Sequence, residues 1–187
     1  MGHAFSSPLR RWEVLAGLAE SIKAEDFVEV GCKDGRTTAF MLEHLPDLHV
    51  TAIDPWAPVP NADEDYRDWD FAQIEKDFWA NVGEHKDRCY MKRMTSLDAA
   101  ALGDWRMGGY PDMVFIDAGH DYDNALADIK AWWPLVRDGG ILCGHDYQHN
   151  FPGVMRAVAK AFPLIRVAVC PDSVWVVQKD ADVRLAA

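Results

Sequence analysis

Apolar positions along this chain switch between two periods. Leu9, Trp12, Leu15, Leu18, Ala19 and Ile22 recur at three- and four-residue steps behind Pro8, which predicts an amphipathic helix over about residues 8–23. A short apolar run at 27–30 stops at Gly31, residues 37–45 return to helical spacing before Pro46, and a β-branched run at 49–53 is closed by Asp54 and Pro55. Strand, glycine turn, helix and strand make a βαβ unit, and that unit implies a parallel sheet.

The alternation is then interrupted. PWAPVPNADEDYRDWDF is rich in proline, acid and aromatic residues and leads into a helix at about 71–82, so 55–83 reads as a lid-like insertion. Beyond it, strands are expected at 89–91, 113–116 and 141–144, and helices at 97–102, 122–133 and 154–162. On the 122–133 helix, Ala125, Leu126, Ile129, Trp132 and Trp133 form the buried side. Runs at 165–169 and 174–177 flank Pro171, Asp172 and Ser173, the pattern of an antiparallel hairpin. The fold class is therefore α/β: a three-layer sandwich on a Rossmann-like, mostly parallel seven-stranded sheet, with one antiparallel strand in the C-terminal hairpin.

Composition narrows the partners. The 187 residues suit one domain spanning 1–187. Their formal charge of −11 repels phosphate backbones and anionic membrane surfaces, and the basic residues, Arg10, Arg11, Lys86, Arg88, Lys92 and Arg93 among them, are scattered. No nucleic acid or membrane partner is expected. The four cysteines have no CxxC spacing, the N-terminus lacks a secretory apolar core, and no apolar run reaches about 18 residues, so a reducing cytoplasm is expected. Eight tryptophans leave room for an exposed aromatic patch, which favours a homodimer or a sugar-stacking surface.

Ligands of such sheets sit beyond the carboxyl ends of the strands. The first end reads FVEVGCKDGRTT, where a dinucleotide GxGxxG would need glycines in place of Lys33 and Arg36, so a bound NAD is disfavoured. Glu29, Gly31 and Gly35 are instead spaced ExGxxxG, which resembles the first motif of class I S-adenosylmethionine-dependent methyltransferases. The resemblance implies that the Gly31–Cys32–Lys33–Gly35 backbone bends around the amino acid end of S-adenosylmethionine, with Glu29 on its ammonium group. Asp54 is typed to accept hydrogen bonds from both ribose hydroxyls. Thr95 and Ser96, after the third strand, would border the adenine. Taken singly, a glycine turn is usually only a turn and an aspartate after a strand is often a helix cap. It is the ordered set of Glu29, Gly31, Gly35, Asp54 and Asp117 at successive strand ends that points to the cofactor.

The stretch FIDAGHDYDNALADIKAWWPLVRDGGILCGHDY, residues 115–147, resembles the small-molecule group related to macrocin-type sugar O-methyltransferases and, more distantly, catechol O-methyltransferases. In that group, side chains at the fourth and fifth strand ends bind a divalent cation that orients two acceptor oxygens. The resemblance places Asp117, His145 and Asp146 as metal ligands, Asp117 also beside the cofactor and in the catalytic set, and His120 as general base. Gly119 stands where many members carry a second acid. His145 replaces a carboxylate, and a nitrogen ligand shifts the preference from Mg toward Mn, Fe, Co or Zn. His149 would join the ligands if its segment were helical. The same cluster could be a hydrogen-bonded group without metal, and Asp121 and Tyr122 could simply start a helix. The insertion, with Trp56, Tyr66, Trp69 and Phe71 among Asp63, Glu64, Asp65, Asp68 and Asp70, reads equally as a lid or as aromatics packed on the domain or a second subunit. The expected activity is methyl transfer to an oxygen of a small hydroxylated acceptor such as a sugar or natural-product intermediate, with Mg or Mn assistance. The rivals are a nucleotide-dependent oxidoreductase and a non-catalytic module that binds the same cofactor.

Overall fold

The computed structural model describes residues 8–59, 68–103 and 109–180. Seven strands form one sheet: β1 (Asp26–Val30), β2 (His49–Asp54), β3 (Cys89–Arg93), β4 (Met113–Ile116), β5 (Ile141–Gly144), β6 (Ala168–Cys170) and β7 (Val174–Gln178). Their order is β3-β2-β1-β4-β5-β7-β6. The chain moves outward from β1 to β3 and then returns to place β4 on the other side of β1, so strand order reverses between β1 and β4. Crevices at such reversals are where open α/β sheets hold ligands.

Among the described residues six α-helices cover the sheet: α1 (Arg11–Ile22), α2 (Arg36–His44), α3 (Phe71–Val82), α4 (Ser96–Leu102), α5 (Tyr122–Trp132) and α6 (Pro152–Ala161). Successive side chains of each strand point to opposite faces, so the nearly continuous apolar runs of the central strands serve two cores. Phe27, Val50, Met113 and Phe115 pack with Leu15 of α1, Met41 and Leu42 of α2 and Phe78 of α3. Val28, Val30, Val114 and Leu142 pack with Ile129 and Trp132 of α5 and Val158 of α6. The three-layer arrangement expected from the pattern is therefore present, and no described helix is long and apolar enough to cross a membrane.

Differences lie at the element ends. α1 starts at Arg11, because the Arg10 N–H is donated to the Glu13 carboxylate at 2.8 Å and fixes the first turn there. β2 runs one residue further than its apolar pattern and carries Asp54 as its last residue. β6 spans only Ala168–Cys170, since the Ile165 N–H turns back onto the Phe162 carbonyl. β7 is antiparallel to both β5 and β6 and is thus the reversed strand, second from the edge, reached through Asp172 and Ser173 at φ 57° and 58°. Of the insertion, Asp63, Glu64, Asp65 and Tyr66 lie outside the described residues. Trp56 is a core residue, 2% exposed, with its ring edge-on to Phe78.

Candidate active site

A cavity of about 620 Å³ opens at the carboxyl ends of the central strands. Its floor starts at the turn after β1. Gly31 has φ 87°, and a Cβ there would run into the Asp117 carbonyl at the end of β4, so this position needs glycine on both counts. Gly35, φ 75°, is as constrained, since a Cβ there would lie only 2.6 Å from the Phe78 ring. Lys33 also adopts a positive φ, 47°, without being glycine. Its N–H is donated to Asp54 Oδ2 at 3.0 Å, its carbonyl accepts the Trp56 indole N–H at 2.9 Å, and its Nζ lies 3.8 Å from the Trp69 ring centroid. These contacts hold a conformation that glycine would adopt unaided.

Glu29, Cys32, Lys33, Asp54, Thr95 and Ser96 all border the cavity. Glu29 is 2% exposed and accepts the Thr38 hydroxyl proton; burial pushes its carboxyl up to about 8 against the lowering effect of that bond. Burial likewise raises the Asp54 carboxyl, opposed by the N–H groups of Trp56 and Lys33. The Cys32 side chain is buried with its thiol pushed well up, so what it offers the cavity is backbone. The Thr95 hydroxyl is used by the helix it caps, accepting the Asp98 N–H and donating to the Asp98 carboxylate. Ser96 accepts the Trp132 indole N–H at 2.9 Å.

At the other end of the cavity, the parallel ladder continues one residue beyond β4 and β5. Asp117 donates its N–H to the Val30 carbonyl and His145 donates to Ile116, which sets both residues at the sheet rim. His120, from the loop after β4, puts Nε2 2.9 Å from Asp146 Oδ2 and tilts its ring over Phe151. His145 Nδ1 lies 3.2 Å from Asp146 Oδ1 and 3.5 Å from Asp117 Oδ1. Burial works against a charge on His145, but the two carboxylates prevail and push it up to about 10. Burial likewise opposes the Asp146 charge, yet His120 and His145 hold that carboxyl well below the usual range.

The ligand atoms of Asp117, His120 and Asp146 all lie within 4.8 Å of one another, and two carboxylates with one imidazole form a donor set that suits a divalent cation. Sequence reasoning placed His145 in that set. In the structure its Nδ1 contacts both carboxylates and its Nε2 is buried without a hydrogen-bond partner among the described residues. His149 lies exposed on a turn after β5, so the helical condition for its joining the ligands is not met.

Arg11 and Asp128 are among the cavity residues that sequence reasoning missed. Arg11 of α1 places Nε 3.5 Å from Asp117 Oδ2 and 3.4 Å from the Thr37 hydroxyl oxygen. No sequence signal could have found it, because the helix reaches the site only through tertiary packing. Asp128 of α5 is 5% exposed, three residues after Ala125 and four before Trp132, a spacing that already put it on the buried face.

The sequence model of a family described as "Methyltransferase domain" matches residues 28–147. No curated protein matches the chain. Among solved structures, an O-methyltransferase from Bacillus cereus in complex with SAH is 19% identical with a TM-score of 0.64, over 94% of this chain and 84% of that one. TomG from Streptomyces achromogenes, an O-methyltransferase involved in tomaymycin synthesis and solved with SAM, is 15% identical with a TM-score of 0.67, over 91% of this chain and 80% of that one. The calicheamicin methyltransferase CalS11 is 13% identical with a TM-score of 0.63, over 89% and 76%. At such identities these likenesses establish the fold.

Proposed function

Because the chain belongs to the methyltransferase-domain family, within the class I S-adenosylmethionine-dependent enzymes, we propose that it transfers a methyl group to an oxygen of a small hydroxylated acceptor, a sugar or natural-product intermediate. One observation carries this reading. The residues typed for the cofactor, from the ends of β1, β2 and β3, and the Asp/His cluster, from the ends of β4 and β5, border the same cavity.

S-adenosylmethionine supplies an electrophilic methyl group on its sulfonium when bound. Toward it, Glu29 and the turn from Gly31 through Cys32 and Lys33 to Gly35 hold the amino acid end, Asp54 accepts from the ribose, and Thr95 and Ser96 border the adenine. The backbone N–H bonds to Asp54 leave each carboxylate oxygen a second lone pair, so ribose recognition is compatible with its role in the turn. Asp117 stands between the two halves, beside Gly31 and within the acidic cluster. His120 takes the proton of the acceptor hydroxyl, and Asp146, 2.9 Å from its Nε2, stabilises the imidazolium that forms.

The convergence of Asp117, His120 and Asp146 favours a second reading, in which Mg or Mn is held by these residues, with His145 bracing the carboxylates. A divalent cation would lower the pKa of the acceptor hydroxyl, and His120 would then serve as a ligand. Of the segment 55–83, Trp69 and Phe71 stand on the cavity wall, where they would help to cover bound ligands, while Trp56 and Phe78 belong to the core. Calorimetric titration with S-adenosylmethionine, followed by methyl transfer to a panel of glycosides and catechols with and without Mg or Mn, tests the proposal. Tight NAD binding with none for S-adenosylmethionine would overturn it.

A further inference from the structure

Each oxygen of the Asp117 and Asp146 carboxylates already faces a nitrogen of the protein. Asp146 has His120 Nε2 at 2.9 Å from Oδ2 and His145 Nδ1 at 3.2 Å from Oδ1. Asp117 has His145 Nδ1 at 3.5 Å from Oδ1 and Arg11 Nε at 3.5 Å from Oδ2. Of these partners Arg11 alone carries its charge at every accessible pH. An imidazole can turn a lone pair toward a metal, whereas a guanidinium has only donors and cannot become a ligand. Arg11 therefore meets any cation drawn to Asp117 as a like charge, which has to be tolerated or pushed aside.

Pushing it aside is resisted from several elements. Arg11 is the first residue of α1, and its backbone N–H is donated to Asp172 Oδ2 at 2.8 Å, from the turn between β6 and β7. Its Nε is also donated to the Thr37 hydroxyl oxygen of α2 at 3.4 Å. The hairpin, α2 and the end of β4 thus converge on one side chain. That side chain is 30% exposed, so solvent screens its charge less than that of a residue standing free at the surface. Its field extends into the cavity, where it favours the ionised form of Glu29.

We propose that Arg11 is a resident counter-cation of the acidic cluster, competing with a divalent cation for Asp117 and so setting how tightly that cation is held. The inference rests on the reading of Asp117, His120 and Asp146 as a metal site. Arg11 and the two histidines hold the carboxylates together without a metal, so occupancy by a divalent cation follows its free concentration instead of being permanent.

The test is binding of Mn(II) at neutral pH, read from the loss of the paramagnetic resonance signal of the aqueous ion. The proteins compared are the unaltered chain, Arg11→Met, Arg11→Lys and the double variant Arg11→Met, Asp117→Asn. The unaltered protein is expected to bind with a Kd of about 1 mM, as weak as the weakest calcium sites. Arg11→Met keeps an unbranched chain but no charge, and should bind at least about tenfold more tightly. Arg11→Lys keeps the charge and should stay within about threefold of the unaltered protein, and the double variant should lose the gain. Removing a residue that merely propped the site would weaken binding, so a gain separates competition from support.

A Kd of about 10 μM or below in the unaltered protein would overturn the proposal whether or not a variant folds. So would a folded Arg11→Met, checked by circular dichroism, with an affinity close to that of the unaltered protein, or a gain that survives Asp117→Asn. Arg11→Gln, which keeps a donor for Thr37, carries the same expectation and takes the place of Arg11→Met if the latter does not fold. Absence of Mn(II) binding in the unaltered protein and in the neutral variant alike would overturn the metal reading, and the proposal with it. Equal, measurable binding in both would leave that reading intact and remove only the role of Arg11.

Discussion

Replacing Asp54 with alanine separates its two tasks. In the free protein its carboxylate accepts the N–H groups of Lys33 at 3.0 Å and Trp56 at 2.8 Å, and so steadies two residues of positive φ, at 47° and 40°. Both bonds lie at the cavity rim, where water can replace part of what is lost, so the stability cost should be about 1–2 kcal/mol. Toward the ribose it would contribute two further hydrogen bonds from a charged acceptor. At about 1.5 kcal/mol each, the low end for such bonds, their loss comes to about 3 kcal/mol, or about a hundredfold in Kd. Asp54→Asn keeps one carbonyl oxygen and should lose about tenfold. The measurements are calorimetric affinity for S-adenosylhomocysteine and the thermal midpoint without ligand. A 2′-deoxyribose analogue completes a cycle, since it should bind the unaltered protein more weakly than the parent and Asp54→Ala no differently from it. A folded Asp54→Ala protein whose affinity changes less than about threefold would refute ribose recognition by this residue.

Further outcomes follow from the same geometry. His120→Ala should lower turnover by about 10²–10⁴-fold while leaving cofactor affinity nearly unchanged, and full activity would remove it from the chemistry. Glu29 is pushed up from 4.5 to about 8, so between those pH values the folded chain holds a proton that the unfolded chain has released. Its stabilising contribution is complete below 4.5 and is lost as pH rises through about 8, with a slope of at most about 1.4 kcal/mol per pH unit. Denaturant titrations from pH 6 to 9 should show that decline in the unaltered protein, and its disappearance in Glu29→Gln. Gly31→Ala forces a side chain into the Asp117 carbonyl at a φ of 87° and should lower the unfolding free energy from denaturant titration by several kcal/mol or leave no folded protein; a change below about 1 kcal/mol would contradict the packing described.

How much of this was legible in the chain depends on the range of the interactions involved. Strand and helix positions followed from local periodicity, and errors stayed at the ends, where single contacts such as Arg10 to Glu13 decide a boundary. Glu29, Asp54, Asp117 and His145 could be placed at a rim because a parallel sheet puts every strand end on one side. What periodicity could not supply was the direction in which loop side chains point. His120 meets Asp146 from the loop after β4, whereas His145 meets both Asp117 and Asp146 from the end of β5, and no residue pattern announces that difference. For Trp56 the sequence leaves a lid and packing on the domain equally open, because composition alone describes that stretch. Its burial comes from Phe78 and Lys33, contacts 22 and 23 positions away in the chain. Asp128 was readable on spacing, but an aspartate on a helix invites the assumption of a solvated face.

The charge pattern of the cavity bears on the rival chemistry. Seven acidic side chains line it, Glu29, Asp34, Asp54, Asp117, Asp121, Asp128 and Asp146, against the cationic side chains of Arg11, Lys33 and Arg36 and the His145 ring that Asp117 and Asp146 push up to about 10. Arg11 is drawn to Asp117, Arg36 pairs with Asp34 at 2.9 Å, and the Lys33 ammonium sits over Trp69, so each of these cations is engaged by a group of the protein itself. A pyrophosphate brought to 4 Å from the Asp54 carboxylate would cost about 4 kcal/mol for that like pair at an effective dielectric constant near 20. A sulfonium carrying an ammonium group is attracted by the same carboxylates. The burial that pushes Glu29 up to about 8 also makes its ionisation responsive to that cation, because a positive ligand group beside the carboxyl offsets the desolvation that keeps it protonated. On this reading cofactor choice would rest on the sign of the cavity's charge as well as on its shape, with the charge of Lys33, which stands where a dinucleotide turn needs glycine, turned away onto an aromatic ring.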